Sequence, residues 1–261
     1  ANATITWPTA SPITYGQSLG DSGFLNGSST PVGSFAWVEP NVKPAVGTGT
    51  HQVVFTTTDG NYLSPVTNSV SLVVNPATAE VSIGALSLSQ TYDGTAKSVT
   101  VQTLPAGLSN SVTYNGSDVV PTAAGQYTVV ATVTDGNYQG STTNTLVISK
   151  ATPVITAPTA TGITYGQELS ASTLSGGTAS TEGKFAFTTP SSSPNAGTSD
   201  QEVTFTPDDA ANYNTASTSV SVTVAKANAT ITWPSANPIT YGQELGDSGF
   251  LNGSSTPVGS F

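Results

Sequence analysis

The sequence predicts an all-β fold, repeated along the chain as a series of small two-sheet modules. Three observations lead to this prediction. Residues 1–35 return almost unchanged at 227–261, β-branched residues alternate with polar ones in short runs, and Gly, Pro, Asn and Ser recur between those runs. Alternation with a period of two is typical of strands with one buried face. A single sheet of this kind leaves its apolar face wet, so two sheets packed face to face are expected.

The internal copy indicates a tandem array, because a chain that restarts its own beginning repeats a structural unit. The copies differ only at Thr9/Ser235, Ser11/Asn237 and Ser18/Glu244. Two landmarks divide the residues between them. Tyr-Gly-Gln begins at Tyr15, Tyr165 and Tyr241, with Tyr92-Asp93-Gly94 at the corresponding place in between, and an Asn-Tyr pair follows an acidic turn at Asn61, Asn137 and Asn212.

These landmarks recur about every 75 residues. We therefore predict three whole repeats and a partial one. They are repeat 1 (1–76, Tyr-Gly-Gln type), repeat 2 (77–150, Tyr-Asp-Gly type), repeat 3 (151–226, Tyr-Gly-Gln type) and an incomplete repeat 4 (227–261, a near-copy of 1–35).

The elements of repeat 1 are predicted in order. A split first strand comes first, because Pro8 and Pro12 are tolerated only at an edge or at a switch between sheets. A polar hairpin follows. The predicted strands are Thr4–Trp7, Ile13–Leu19, Gly33–Val38, Gly49–Thr57 and Ser69–Val74. This pattern indicates a small immunoglobulin-like sandwich, with Tyr62 at the corner between the last two strands. Tyr62, Tyr138 and Tyr213 are possible corner tyrosines whose hydroxyls tie down a loop.

A pair of large side chains is expected to fill the core in the middle of each module. The pairs are Phe35 and Trp37, Val112 and Tyr114, and Phe185 and Phe187. Each falls about the same distance after its landmark tyrosine and alternates with the strand period. We predict that Trp37, Tyr114 and Phe187 occupy equivalent buried positions on a central strand.

Several motifs recur: I-T-Y-G-Q-x-L, G-x-F-A-[WF], [AV]-G-T, and a terminal V-[ST]-V-x-V-x-K-A. Together they resemble the immunoglobulin-like repeats of very large bacterial surface proteins. Repeat 2, with Tyr92-Asp-Gly-Thr-Ala-Lys97, resembles the related Tyr-Asp-Gly member of the group called MBG domains. The resemblance implies a bacterial extracellular stalk or fibre of modules arranged end to end, and a β-grasp module is the alternative fold.

The charge of the chain limits the kinds of partner that it is expected to bind. Five lysines and no arginine stand against fifteen acidic residues, which gives a net charge of −10. Nucleic acid and anionic membranes are therefore disfavoured as partners. Cysteine and methionine are absent, which suits an exposed bacterial surface. No signal peptide, transmembrane run or anchoring tail is visible, and we expect such segments to lie outside a sequence that starts and stops inside an array.

No catalytic or cofactor-binding residues are predicted. His51 is the single histidine and heads an alternating strand with no partner motif, so a surface strand position is expected. Asp208 and Asp209 form the single adjacent carboxylate pair, and a solvated turn is the simpler interpretation.

Metal binding is also not predicted, and the weak calcium candidates are the acidic turns. They comprise Asp59, Asn61, Asp135, Asn137, Asp208, Asp209 and Asn212. Each turn offers two or three side-chain oxygens, whereas calcium takes about six to eight ligands, so ordinary Asx turns are expected. An isopeptide crosslink needs a buried lysine beside a buried acid. Lys43 and Lys97 fall in turn-like segments, and Lys150 and Lys226 fall at joints, so no crosslink is expected.

The predicted function is that of a non-enzymatic structural segment of a bacterial extracellular fibre or adhesin stalk. Its expected partners are copies of itself in a longer chain or fibre. The alternative is an adhesion module that binds surface glycan or host protein through exposed aromatics. Trp7 and Trp233 could serve either purpose, and packing at the joints is the favoured interpretation.

Residues 227–261 hold a split first strand and a hairpin but no closing strands. Half a sandwich cannot bury Trp233, Ile239 and Phe250 by itself. We expect the natural chain to continue past Phe261, and the alternative is that a neighbouring chain supplies the missing strands.

Overall fold

The structure is a computed structural model that describes residues 1–260. Within these residues, regular structure consists of 28 β-strands and four short 3-10 helices. The all-β prediction is therefore confirmed. The chain separates into two compact units, one spanning Ala1–Lys150 and the other beginning at Ala151. The repeat boundaries at residues 76 and 226 stay predictions from the sequence.

Eight strands and one 3-10 helix form repeat 1. They are β1 (Thr4–Thr6), β2 (Thr9–Ala10), β3 (Ile13–Thr14), the helix Leu19–Asp21, β4 (Phe24–Leu25), β5 (Ser28–Thr30), β6 (Ser34–Trp37), β7 (Gly47–Thr56) and β8 (Val66–Asn75). One sheet has the order β3-β8-β7-β6, with β3 parallel to β8 and the other pairs antiparallel. The second layer is a ribbon in which β1 pairs with β5 and β2 with β4.

The core of repeat 1 lies between these two layers. Alternate residues of β7 and β8 point inward, as in Val53, Leu72 and Val74, all of which are buried. Trp7 and Phe24 pack against this cluster from the ribbon side. The first strand is split, as predicted, because the prolines at positions 8 and 12 interrupt its pairing and let the chain switch sheets.

Repeat 2 has the same four-stranded sheet but a different second layer. Its elements are β9 (Ala77–Thr78), β10 (Glu80–Ile83), the 3-10 helix Ala85–Leu88, β11 (Ser89–Thr91), β12 (Val101–Leu104), β13 (Asn110–Tyr114), β14 (Gly125–Val133), β15 (Tyr138–Gln139) and β16 (Ser141–Ser149). The sheet order is β11-β16-β14-β13, and β11 runs parallel to β16. The second layer consists of the antiparallel pair β10 and β12.

Repeat 3 follows repeat 1 strand for strand. Its elements are β17 (Ile155–Thr156), β18 (Thr159–Ala160), β19 (Ile163–Thr164), the 3-10 helix Leu169–Ala171, β20 (Leu174–Ser175), β21 (Thr178–Ala179), β22 (Gly183–Phe187), β23 (Gly197–Pro207) and β24 (Ala216–Ala225). Its sheet has the order β19-β24-β23-β22, with β19 parallel to β24.

Residues 227–260 form the ribbon layer alone. The elements are β25 (Thr230–Thr232), β26 (Ser235–Ala236), the 3-10 helix Leu245–Asp247, β27 (Phe250–Leu251) and β28 (Ser254–Thr256). The pairs β25–β28 and β26–β27 repeat the pairs β1–β5 and β2–β4. Leu245 is 86% exposed, whereas its counterpart Leu19 is 2% exposed under the sheet of repeat 1.

The predicted central position of Trp37, Tyr114 and Phe187 is wrong. Their strands, β6, β13 and β22, lie at the edges of their sheets. A short strand pairs with the last strand on the opposite side of the sheet, which leaves the aromatic strand at the free edge. This short strand comes before the 3-10 helix in repeats 1 and 3 and after it in repeat 2. The three side chains are nevertheless buried, because each points into the interior between the two layers.

Candidate functional site

The aromatic pair of repeat 1 lies at the centre of a group of rings. The Trp37 and Phe24 ring centroids are 4.9 Å apart, and Phe35 and Phe55 are 5.4 Å apart. The Trp37 Nε1–H donates a hydrogen bond to the Ser22 carbonyl oxygen at 3.1 Å, so the indole is both packed and satisfied. Phe35 is half-buried, with Trp37 the more enclosed of the two.

The equivalent pairs of the other repeats share this arrangement. Tyr114 is buried, and its hydroxyl accepts a hydrogen bond from the Val99 backbone N–H at 3.0 Å, while Val112 is half-buried. Phe187 is buried, and half-buried Phe185 lies 4.9 Å from Phe205 between ring centroids. These side chains stabilise the modules and present no reactive group to solvent.

The Trp7 ring contacts Phe35 edge-on at a centroid distance of 5.7 Å and packs against the core of repeat 1. Strand alternation turns Trp7 toward the sheet beside Ile5. Packing of this residue at a joint stays a prediction. Its copy Trp233 is 76% exposed, because residues 227–260 present the ribbon without a covering sheet.

The acidic turns before each Asn-Tyr pair are closed by their own side chains. The Asp59 Oδ1 accepts hydrogen bonds from the Asn61 backbone N–H at 3.0 Å and from its Nδ2 at 2.9 Å. The Asp135 Oδ1 accepts one from the Asn137 N–H at 2.8 Å. Asp209 accepts from the Asn212 backbone N–H at 3.2 Å and from its Nδ2 at 2.8 Å, across three residues instead of two. The turns at Asp59 and Asp135 are Asx turns, and in all three turns the aspartate accepts local donors.

Asp208 precedes the last of these turns, and its backbone N–H donates to the Glu182 carbonyl oxygen at 3.0 Å. Within residues 1–260, no group of three or more His, Asp or Glu side chains is placed to hold a metal ion. His51 lies on β7 with its ring 6.3 Å from the Trp37 ring, which is a packing contact along the sheet. The described geometry gives no acid-base pair around it.

Each Asn-Tyr segment ties down the first residue of its own repeat through the backbone. In repeat 1, the Ala1 amino group donates to the Asn61 carbonyl oxygen at 2.9 Å, and the Leu63 N–H donates to the Ala1 carbonyl oxygen at 3.0 Å. In repeat 2, Ala77 N–H donates to Asn137 O at 3.0 Å, and in repeat 3, Ala151 N–H donates to Asn212 O at 2.9 Å. These backbone bonds hold the corner, and the loop contact of the Tyr62, Tyr138 and Tyr213 hydroxyls stays a prediction.

Each landmark tyrosine marks the opposite end of its repeat. The backbone N–H groups of Tyr15, Tyr92 and Tyr165 donate to the carbonyl oxygens of Asn75, Ser149 and Ala225, respectively, at 2.8–2.9 Å. The next two residues of Tyr-Gly-Gln shape the turn. Gly16 has φ +94°, which favours glycine, and Gln17 Oε1 accepts the Thr14 N–H at 2.8 Å. The motif is therefore a structural turn at the terminus of the last strand.

In repeat 2, an ion pair replaces the glutamine. Lys97 Nζ bonds the Asp93 carboxylate, and Thr95 also donates to that carboxylate. Lys97 is buried, which its turn-like sequence did not indicate, and its backbone N–H donates to the Pro121 carbonyl oxygen at 2.8 Å. Asp93 stays 57% exposed, so the pair lacks the buried acid that a crosslink needs.

This pairing should be visible in the pH dependence of stability. The Lys97 ammonium and then Thr95 hold the pKa of the Asp93 carboxyl well below its ordinary value of 3.8. A depressed folded-state pKa contributes stability that is present above the unfolded-state value and is lost as the pH falls through the folded-state value. We expect Asp93→Asn to destabilise repeat 2 at neutral pH and to match the parent increasingly as the pH drops below about 4.

The measurement is urea unfolding of the full chain at several pH values between neutral and strongly acidic. Amide exchange in repeat 2 reports the unfolding of that repeat. The matched control is Asp118→Asn, at an exposed position in the same repeat. If the difference between Asp93→Asn and the parent is the same at every pH, the ion pair does not contribute in this way.

None of the helices in residues 1–260 is long and apolar enough to cross a membrane.

Among solved structures, Sidekick-1 immunoglobulin domains 1–5 match at 10% identity and a TM-score of 0.35, over 87% of this chain and 60% of that one. Drosophila N-cadherin EC1–3 matches at 12% identity and a TM-score of 0.24, over 87% of this chain and 90% of that one. An endo-fucoidan hydrolase of glycoside hydrolase family 107 matches at 16% identity and a TM-score of 0.19, over 87% of this chain and 39% of that one. At these TM-scores, the likeness bears on neither function nor partners.

No curated protein matches the chain. The family comparison is more specific. Residues 79–152 match the family model described as the MBG domain, so the resemblance seen in the sequence is confirmed for this part of the chain.

Proposed function

We propose that the chain is a structural segment of a bacterial extracellular fibre or adhesin stalk, in which each repeat adds length and the joints limit bending. The MBG match and the immunoglobulin-like β architecture support a repeat module of this kind. In this proposal the chain has no catalytic role, and its partners are copies of the same module in a longer chain or fibre.

One observation carries the proposal: each whole repeat begins and ends at opposite ends of its last strand. In repeat 1, Ala1 is bonded to Asn61, in the loop that precedes β8, whereas the chain leaves at Asn75, where β8 ends. β8 has ten residues, and a strand rises about 3.3 Å per residue, so the chain advances about 33 Å per repeat.

The same geometry recurs in the other two whole repeats. The last strands β16 and β24 have nine and ten residues, and their repeats also begin beside an Asn-Tyr segment. A module that passes the chain from one end to the other extends an array, whereas one with adjacent termini would branch from it. This is the behaviour that a stalk requires.

Small-angle X-ray scattering of the full chain tests this function. A compact single body of this length would have a radius of gyration of about 18 Å. We expect a clearly larger value, and a longest dimension that increases by about 33 Å when one further copy of repeat 3 is inserted after Lys226. A dilution series excludes association. A compact radius, unchanged in the longer chain, would reject the stalk.

The adhesion alternative depends on exposed aromatic side chains at equivalent places in every repeat. Trp233 and Tyr241 are exposed, but their counterparts Trp7 and Tyr15 are packed within the unit Ala1–Lys150. Surface glycan or host protein as a partner therefore has less support than a mechanical role.

A further inference from the structure

A tyrosine lies at the trailing end of repeat 1. The Tyr15 backbone N–H donates to the Asn75 carbonyl oxygen at 2.8 Å, where β8 ends. Its ring is half-buried and packs against the core cluster of repeat 1. This position is fixed by the parallel pairing of β3 with β8, which aligns Thr14 with Asn75.

A second tyrosine lies at the leading end of repeat 2. Tyr138 begins β15, which pairs in parallel with β9, so that Tyr138 is opposite Ala77. The bonds from Ala77 N–H to Asn137 O at 3.0 Å and from Ala79 N–H to Gln139 O at 2.9 Å hold this segment beside the first residues of repeat 2.

The two rings meet at the joint. Their centroids are 5.5 Å apart and their planes are inclined by 77°, which is the edge-to-face arrangement that aromatic pairs favour. Along the chain, only Pro76 separates the end of β8 from the start of β9. A single-residue connection still allows rotation about its backbone dihedrals, and a side-chain contact away from that connection opposes it.

The counterpart of Tyr15 in repeat 3 shows the same position without this partner. Tyr165 also bonds the end of its last strand, and residues 227–260 contain no Asn-Tyr pair. There the ring is 53% exposed and borders an open cleft with Lys226, Ala227 and Pro257. Tyr15, with Tyr138 against it, is half-buried, whereas the Tyr165 ring is more than half exposed.

We propose that Tyr15 and Tyr138 form a lock that fixes the angle between repeats 1 and 2, an inference that rests on the proposed stalk function and assigns its stiffness to a residue pair. Tyr15, the trailing tyrosine of repeat 1, and Tyr138, the Asn-Tyr tyrosine of repeat 2, are the matching halves of this lock. The Tyr-Gly-Gln tyrosine and the Asn-Tyr tyrosine, both noted in the sequence, thus serve the same contact between repeats. A module that lacks either half would form a flexible joint.

The lock can be tested by measuring the spread of distances across the joint in the full chain. Because the sequence has no cysteine, two spin labels can be placed uniquely. Val32 in repeat 1 and Leu86 in repeat 2 are suitable sites, being 87% and 97% exposed. Pulsed electron–electron double resonance of this doubly labelled chain should give a narrow distribution of distances between the two labels.

We expect Tyr138→Ala to broaden the distribution about twofold, because it removes the aromatic contact beside the single-residue connection. Tyr15→Ala should have the same effect, and the double variant should be no broader than either single one, since each already removes the whole contact. Tyr138→Phe keeps the ring and should stay narrow. Tyr241→Ala changes a fully exposed tyrosine of the same motif and should match the parent.

Amide exchange on each variant confirms that repeats 1 and 2 remain folded. A Tyr138→Ala distribution as narrow as that of the parent would overturn the lock, as would broadening by the double variant that equals the sum of two independent effects. Neither result would change the length increment measured by scattering, so failure of the lock is distinct from failure of the stalk. A distribution that is already broad in the parent would also overturn the lock.

Discussion

Trp37→Ala should lower the stability of repeat 1 by about 3–5 kcal/mol, the range found when a buried tryptophan or phenylalanine is truncated. Trp37 is 6% exposed, contacts Phe24, and donates a hydrogen bond to the Ser22 carbonyl oxygen. The change opens a cavity between the two layers and leaves that oxygen without its donor.

Amide exchange in repeat 1 of the full chain measures this effect, because a chain with several modules need not unfold in one step. The matched control is Trp233→Ala, which removes an exposed indole and should change stability by less than about 0.5 kcal/mol. An equal loss of stability from the two substitutions would show that burial of Trp37 does not stabilise repeat 1.

Extending the chain with residues 36–76 placed directly after Phe261 should build a fourth sandwich. The ribbon of residues 227–260 has the same internal pairing as that of repeat 1, and the appended residues supply the sheet that covers it there. We expect Trp233, Leu245 and Phe250 to become protected, with about 1.5–3 kcal/mol for each large side chain that is fully buried.

Tryptophan fluorescence reports the change if Trp7, Trp37 and the tryptophan of the appended segment are replaced by phenylalanine. The Trp233 emission should then shift to shorter wavelength. In the control extension, aspartate replaces the copies of Val53 and Leu72, so the added sheet cannot pack. If the intact extension leaves the Trp233 emission unchanged, the appended sheet does not pack on the ribbon of residues 227–260.

The sequence predicted local structure well, because alternation and turn residues act over short distances. The predicted strand Ser69–Val74 lies within β8, and Gly49–Thr57 overlaps β7 up to Thr56. The prolines at positions 8 and 12 split the first strand. The outward or inward direction of a side chain follows from the same alternation. The positions of Val53 and Leu72 in the core are examples.

What could not be predicted depends on pairing between distant segments. The edge position of β6 follows from the parallel pairing of β3 with β8, and no local pattern encodes that choice. The contact of Trp7 with Phe35 is a second example, because it joins the ribbon to the sheet. The contact of Tyr15 with Tyr138 joins two landmarks that the sequence presents as unrelated.

The parallel pairing of β3 with β8 also determines how a repeat bears tension. A pull on the two ends draws β3 toward the leading end and β8 toward the trailing end, along the strand direction. The hydrogen bonds at Ile13–Val74 and Thr14–Asn75, together with the bond from Tyr15 to Asn75, cross between those strands. They are therefore loaded in shear and must break together, whereas bonds pulled open from one end break one at a time. In the proposed stalk, this short parallel pair would serve as a mechanical clamp, and the same pairing recurs in repeats 2 and 3 as β11–β16 and β19–β24.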